Sequence, residues 1–435
     1  MKIVLSARGS RGDVYPVLAI AAALRARGHH VLACVPTFFL PKARSLGLDV
    51  CEYHEDTAAI MRGFGAGWRA SHQALRWFAE SIEEEFDILL EQSRGADALV
   101  TTAAEVPPTT VAEHRRIPHY RVGYAPILPG DQPPPLQPYQ RLPAFANRAL
   151  WRALNATIKL LFGTQLNRWR VRLGLSTVGE LGGHLARRSH TLLAISPKLA
   201  PPSPDWPRRG YRHHYLGYCF LDESDALPAE VEQFLEAGPP PVYVGFGSVH
   251  VPDPESITRA LVDAGLRAGC RLLLGSGWTG LGQGTRLPPQ MLVVGEVPHA
   301  LLFPRLAAAI HHAGSGTVHN AARFGLPQLG VPQIADQFYW GHRLQQLGLG
   351  PRPLRPEQLS PRRLASALRA LTRLGEERRR AGALGAAMAG EPGVSAAVAL
   401  IESGGASTEL RSTSVMIGPR CSHSPSVPEP ESSIL

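Results

Sequence analysis

The sequence predicts an α/β protein built of two doubly wound parallel-sheet domains facing each other across a cleft. Three observations carry that expectation. Short β-rich apolar runs alternate with helical stretches along almost the whole chain, the strand, glycine loop and helix that open it recur after residue 240, and an acidic, proline-bearing segment separates the two series. At 435 residues the chain can bury two ordinary cores.

Lys2–Ser6 reads as a first buried strand. The loop ARGSRGDVYP (7–16) leads into an apolar helix from Val17 to Arg27, Gly28 ends it, and HVLACVP (30–36) is a second strand. Strand, helix, strand over so short a span is a βαβ unit and implies parallel pairing. Further strands are expected at Ala98–Thr101, His119–Val122 and Thr191–Ile195. Two excursions fit this sheet poorly. Residues 57–93 form a long helical stretch with Trp68, Trp77 and Phe78. Residues 124–173 begin proline-rich (DQPPPLQP) and become amphipathic, with Leu150, Trp151, Leu154, Ile158 and Leu161 on one helical face and Arg152, Asn155 and Lys159 on the other. Insertions beside a rigid sheet often line a substrate cleft, although each apolar residue alone reads equally well as core.

Asp222–Pro240 is an acidic connector with one short helix (PAEVEQFLEAG), which gives domains 1–222 and 241–402 joined by a linker at 223–240. The pattern then restarts with strand PVYVGF (241–246), a helix near 255–268, and strands RLLL (271–274), QMLVVG (290–295) and LAAAI (306–310). Beyond them lie a helical region at 356–388 and a last helix at 394–401. From Ser403 the Ser/Pro/Gly-rich tail, 403–435, lacks periodicity and is expected to be disordered.

Composition narrows the class. The chain is 44% hydrophobic and 19% charged, with no apolar run near the ~18 residues of a membrane helix. After Met1-Lys2 the apolar run Ile3-Val4-Leu5 is too short for a signal-peptide core, so the cytoplasm is the expected compartment. Cys34, Cys51, Cys219, Cys270 and Cys421 are scattered without metal spacing and read as reduced thiols. The net charge of +9 comes from dispersed arginines, with lysine only at 2, 42, 159 and 198. No recognition motif accompanies it, so a nucleic-acid partner is not expected, while attraction to diphosphates or a peripheral contact with anionic membrane stays open.

The chemistry concentrates in IHHAGSGTVHNAARFGLPQLGVPQIADQ (310–337). An apolar strand delivers His311 and His312 into a small-residue loop, and the helix after it is stopped by Gly325 and Pro327. Strand, glycine loop and helix start point free backbone N–H groups at an anion. Asp336 and Gln337 set a carboxylate beside an amide, a pair that can hold vicinal hydroxyls by accepting from one and donating to the other. Phosphate plus polyol points to a nucleotide sugar. Zinc on His311, His312 and His319 is not supported, because adjacent strand histidines face opposite ways and no acidic residue stands near in sequence. His311 reads as a packed strand residue. Asp13, in the loop after the first strand, has two readings from local sequence: a helix N-cap, or a carboxylate taking a proton at the sheet's ligand-binding edge.

HHAGSGT followed by VPQIADQ resembles the donor-binding signature of inverting, nucleotide-sugar-dependent glycosyltransferases of the two-Rossmann-domain (GT-B) type. The nearest look-alikes are sterol glucosyltransferases and the glycopeptide- and macrolide-antibiotic glycosyltransferases. GSRGDVYP looks like the family's GSxGDVxP loop, which implies Asp13 as catalytic base, with Ser10 and Gly12 against the donor. The resemblance further implies His312 and Thr317 on the diphosphate, with the backbone of Gly314, Ser315 and Gly316 adding its dipoles. Ser248 of GFGS is implied as a second diphosphate contact, and Val297 and His299 of EVPH as the segment that meets the base. Asp336 and Gln337 are implied on the sugar. SGWTGL resembles a segment lying near the donor nucleotide, which implicates Trp278. Although Gly275–Gly280 also satisfies GxGxxG, the next residues, LGQGTRLPP, cannot open a helix, so a nicotinamide cofactor is not expected. The family usually has a second glycine where Ala313 stands, a change of small cost unless that backbone needs positive φ.

The resemblance implies a metal-independent transfer from a nucleoside diphosphate sugar, a co-substrate rather than a cofactor, to an apolar alcohol. UDP-glucose is the family's commonest donor, and a dTDP-deoxysugar of antibiotic tailoring fits the same motifs. SPKLAPPSPDW and PPPVYVGFGS favour a sterol-like acceptor, whereas VPQIADQ is shared with the antibiotic enzymes. It also implies that the last helix docks back on the first domain. Two other readings share the architecture. A nucleotide-sugar 2-epimerase-like enzyme would need no acceptor pocket, and a non-catalytic nucleotide-sugar-binding partner should have lost Asp13 or His312.

Overall fold

A computed structural model describes residues 1–53, 73, 76–77, 79–136, 138–221, 226–247, 253–277, 279–373 and 375–405. Trp68, Phe78, Ser248, Trp278, the start of the linker and the tail from 406 onward lie outside the described residues.

In the first half the chain runs through β1 (Lys2–Ser6), α1 (Arg11–Ala26), β2 (His30–Val35), α2 (Leu40–Ser45), β3 (Asp49–Glu52), α3 (Ile82–Gln92), β4 (Ala98–Thr102), α4 (Pro107–Arg115), β5 (His119–Gly123), α5 (Ala144–Arg172), α6 (Leu181–Arg188), β6 (His190–Leu193) and β7 (His213–Tyr215). The strands form one seven-stranded sheet, ordered β3-β2-β1-β4-β5-β6-β7 and parallel throughout. β1, β4 and β5 are buried almost end to end and were legible in sequence, although β4 (ALVTT) and β5 (HYRVG) bury Thr, His and Arg among their apolar residues. β3 and β7 are short, mixed in polarity and sit at the edges, and no sequence pattern announced them.

The second half runs through α7 (Ala229–Glu236), β8 (Val242–Gly245), α8 (Pro254–Ala268), β9 (Leu272–Gly275), β10 (Met291–Val294), α9 (His299–Leu302), β11 (Ala308–His311), α10 (Ser315–Arg323), β12 (Gln328–Gly330), α11 (Gln337–Gln346), α12 (Pro361–Thr372), α13 (Glu376–Met388) and α14 (Val394–Glu402). Its sheet is five-stranded, ordered β10-β9-β8-β11-β12 and again parallel. Both sheets therefore repeat one winding, in which the order reverses beside the first strand: between β1 and β4, and between β8 and β11. In such sheets ligands bind outside the carboxyl ends of the strands at this reversal.

Packing joins the halves. α14 returns to α1, where Ala397, Val398 and Ile401 share a core with Val14, Val17 and Leu18, and Tyr120 donates its hydroxyl to the Leu400 carbonyl at 3.2 Å. A separate cluster brings Leu128, Ile195 and Trp206 from the first half against Ala313, Val318 and Trp340 from the second. Among the described residues no helix is long and apolar enough to cross a membrane.

One boundary differs from expectation. α1 begins at Arg11 rather than Val17, because Ser10 is its N-cap and the Asp13 side chain, at the third helical position, accepts from the Ser10 backbone. The N-cap reading of Asp13 is thereby replaced by a capping-box role, and Pro16 is carried inside the helix.

Candidate functional site

The carboxyl ends of β1 and β4 face those of β8 and β11 across a cavity of about 610 Å³. From the first half, the loop after β1 brings Ser10, Gly12 and Asp13 to its wall. From the second half come His312 with Gly314–Thr317, then Val297 with His299, and Asp336 with Gln337. Every described residue that the motifs singled out reaches this one cavity, but Asp13 and Gln337 each present only part of their polar head to it.

Asp13 accepts at Oδ2 from the Ser10 N–H at 2.8 Å and the Ser10 hydroxyl at 2.9 Å. Its Oδ1 has no hydrogen-bond partner among the described residues and remains available to the cleft. The capping role therefore occupies one oxygen and leaves the other. Burial pushes the carboxyl up to about 6, with the two Ser10 bonds opposing. A carboxylate titrating there is ionised at neutral pH yet basic enough to take a proton. Beneath it, Arg8 is buried, pairs with Glu85 and lies 3.8 Å from the centroid of the Trp77 ring, which ties the loop after β1 to the helical excursion.

His312 lies in a slot between two glycines. A Cβ on Gly247 would sit 2.6 Å from His312 Cε1, and one on Gly314 would sit 2.3 Å from Nε2. Gly247 also has φ +62°, so a side chain there would both crowd the ring and strain the backbone. Burial pushes His312 down to about 4, the Gly245 backbone opposing, so the ring is neutral at pH 7. Next along, α10 starts at Ser315 with Gly314 as N-cap, and the N–H groups of its first turn face the cavity without intrahelical acceptors.

Ala313 has φ +62°. The position thus does need the left-handed backbone that a glycine would take freely, at a cost of roughly 1–2 kcal/mol for an L-residue. His311 holds the turn: its Nδ1 accepts the Ala313 N–H at 3.0 Å while Nε2 meets Gln328 Oε1 at 2.9 Å. As expected from sequence, His311 is a packed strand residue. His319 is likewise structural: its Nδ1 donates to the Ser315 carbonyl at 2.7 Å, and its Nε2 accepts from the Ser196 N–H of the first half at 3.1 Å.

Asp336 stands at the N-cap position of α11 without a side-chain capping bond and accepts at Oδ2 from Trp340 Nε1 at 3.0 Å. Burial and then the nearby Asp13 charge push it up to about 7. The carbonyl oxygen of the Gln337 side chain accepts from the N–H groups of Gln333 (2.9 Å) and Ile334 (3.2 Å), so its amide N–H₂ alone faces the cavity. Of the acceptor-and-donor pair expected at 336–337, the acceptor lies on Asp336 and the donor on Gln337.

Sequence reasoning missed several lining residues. Arg11 pairs with Glu296 across the cleft, Arg323 stacks 3.8 Å over Phe220, and Tyr218 stacks on His319 at 4.6 Å. Arg11 lay inside the GSRGDVYP motif and could have been flagged. Glu296 belongs to EVPH and Arg323 to the 310–337 stretch, so they too could have been flagged, whereas Tyr218 and Phe220 sit on a stretch without a motif and are gathered only by folding. In the first half the cavity extends into an apolar chamber lined by Val106, Trp151, Ile158, Phe162 and Leu185. These come from the N-cap of α4 and from α5 and α6, so the 124–173 excursion does reach the cleft.

Comparison with known proteins matches this arrangement. Residues 3–126 fit the profile of the glycosyltransferase family 28 N-terminal domain, and residues 280–403 fit that of the erythromycin biosynthesis protein CIII-like C-terminal domain. The chain is 35% identical over 363 residues to glycosyltransferase GtfE of Amycolatopsis orientalis, covering 80% of this chain and 85% of that protein. It is 28% identical over 429 residues to the sterol 3-beta-glucosyltransferase of Komagataella phaffii, covering 91% of this chain and 34% of that one. Among solved structures, the glycotransferase of kitacinnamycin has a TM-score of 0.72 at 18% identity, covering 93% of this chain and 98% of that one. Glycosyltransferase VinC, solved with dTDP, has a TM-score of 0.67 at 19% identity, covering 93% and 99%.

Proposed function

Since the chain belongs to the nucleotide-sugar glycosyltransferases of the GT-B fold, we propose that it moves glucose from UDP-glucose to a hydroxyl of an apolar acceptor with inversion at the anomeric carbon. The observation that carries this reading is the opposition of Asp13 and His312 in one cavity, each at the reversal point of its own sheet. In the proposed reaction residues 241–402 hold the donor and residues 1–222 the acceptor, with 223–240 as linker.

Asp13 Oδ1 accepts the proton of the acceptor hydroxyl as that oxygen attacks the anomeric carbon from the face opposite the leaving group. The bond to the diphosphate oxygen breaks in the same step, which inverts the centre. His312, neutral before the donor binds, donates a hydrogen bond to the diphosphate, and the first-turn N–H groups of α10 and the Thr317 hydroxyl add to it as charge builds. Asp336 accepts from one sugar hydroxyl and the Gln337 amide donates to the next.

The donor base and the acceptor class are tested together. Nucleoside diphosphate release is measured from UDP-glucose and dTDP-glucose, with and without sterols and with polyketide and glycopeptide aglycones. Release that depends on an acceptor supports the transfer, and the responding pair fixes donor and acceptor. A β-linked product from the α-linked donor, read by its anomeric proton coupling, supports inversion, whereas an α-linked product refutes the single displacement.

A further inference from the structure

Arg121 stands in the middle of β5, lines the cavity that includes the apolar chamber, and is only 6% exposed. Among the described residues its one hydrogen bond runs from Nη2 to the Ala103 carbonyl, and its Nε is buried with no partner. The compensating charge of Glu105 offers it no bond. Glu105 Oε1 is taken by the Thr102 N–H at 2.9 Å and its hydroxyl at 2.5 Å, and Oε2 by the Ser6 hydroxyl at 2.5 Å and the Tyr53 hydroxyl at 3.1 Å. Burial pushes the guanidinium down only to about 10, so it is a cation at every working pH.

A cation with most of its donors unused, lining the same cavity as Val106, Trp151, Ile158, Phe162 and Leu185, is costly unless a ligand satisfies it. A wholly apolar acceptor would leave the cost in place, because it would displace water from the guanidinium and return no acceptor atom. A carboxylate would return two oxygens matched to the planar fork. We propose that the acceptor is an apolar molecule bearing a carboxylate in addition to its reacting hydroxyl, and that Arg121 receives this carboxylate while Asp13 holds the hydroxyl. The inference rests on the reading of the first-half chamber as the acceptor site.

The test uses matched probes: 6-hydroxy-2-naphthoate against its methyl ester, and lithocholate against methyl lithocholate. kcat/KM for nucleoside diphosphate release is measured with the full-length chain. The acids should exceed their esters by about tenfold or more, the value of a charge-assisted bond. Arg121→Gln should bring that ratio to about one and Arg121→Lys should keep part of it, with folding of each variant followed by the rise in melting temperature that UDP produces. Equal use of acid and ester by the unaltered protein, or a preference that survives Arg121→Gln, overturns the proposal. Should Arg121→Gln not fold, inhibition by 2-naphthoate against methyl 2-naphthoate in the unaltered protein decides it, equal inhibition being the refuting result. Silence with every hydroxyl compound would instead count against the transferase reading, and calorimetric binding of the same acid and ester would still decide the role of Arg121.

Discussion

Asp13→Asn separates proton acceptance from helix capping. Asparagine matches aspartate in shape, and its carbonyl can still accept from the Ser10 N–H, now 2.8 Å from Oδ2, so the capping box survives in weakened form. The loss of stability should stay within about 0.5–1 kcal/mol, the range of a modified cap. What disappears is the free oxygen and its charge. With the carboxyl at about 6, Asp13 is ionised at neutral pH and supplies the whole general-base term, so turnover should fall by roughly 10²–10⁴. The assay is nucleoside diphosphate release at saturating donor and acceptor, paired with calorimetric titration of UDP, whose affinity should change less than about twofold. The pH dependence adds a second readout. Proton acceptance needs the ionised form, so kcat/KM in the unaltered protein should hold above the Asp13 value and fall as pH drops through about 6. Asp336 titrates nearby, at about 7, raised in part by Asp13 itself, so the limb belongs to a coupled pair. Asp336→Asn should keep an acid limb near 6, and Asp13→Asn should abolish it. Turnover within about tenfold of the unaltered protein, or a retained limb in Asp13→Asn, would refute the base assignment.

Three further outcomes are expected from the geometry. His312→Ala should weaken UDP binding by about ten- to a hundredfold, as expected for loss of a hydrogen bond to a charged group. Because His312 is held down at about 4 in the empty site, entry of a diphosphate should raise it. Binding in mildly acidic buffer should therefore take up a proton, visible as a buffer-dependent heat that His312→Ala removes, and a buffer-independent heat in the unaltered protein would count against the placement. Gly247→Ala removes no polar group but puts a methyl 2.6 Å from His312 Cε1 at φ +62°, so UDP affinity should drop nearly as far as in His312→Ala, and unchanged affinity would show that the slot does not hold the ring. Ala313→Gly should leave stability unchanged or raise it by up to about 1 kcal/mol by relieving the left-handed backbone, whereas Ala313→Val, β-branched at a fully buried site, should destabilise sharply. A lower melting temperature for the glycine variant would oppose this account.

Much of the fold was legible because parallel sheets with covered faces write themselves as unbroken apolar runs. β1, β8 and β11 come close to that pattern, β4 and β5 were legible although they bury Thr, His and Arg, and the glycine loops after β1 and β11 were legible from their composition. What those loops do with individual atoms was not. Local sequence alone could make Asp13 a cap or a base, and folding shows one oxygen capping and the other open, because the Ser10 N–H closes back on the third helical residue. It could pair Asp336 with Gln337, yet the carbonyl of Gln337 is spent on the turn at Gln333 and Ile334. Nothing in the order of residues set Ala313 at positive φ, nor left Arg121 with one bond and an apolar outlook. Period and composition belong to the chain, so the sequence by itself determined the strands, the loops and the chemistry carried to each loop. Which hydrogen bonds those groups keep depends on neighbours far apart in sequence, such as Trp340 on Tyr124 or Ser196 on His319, and that the tertiary structure alone decided.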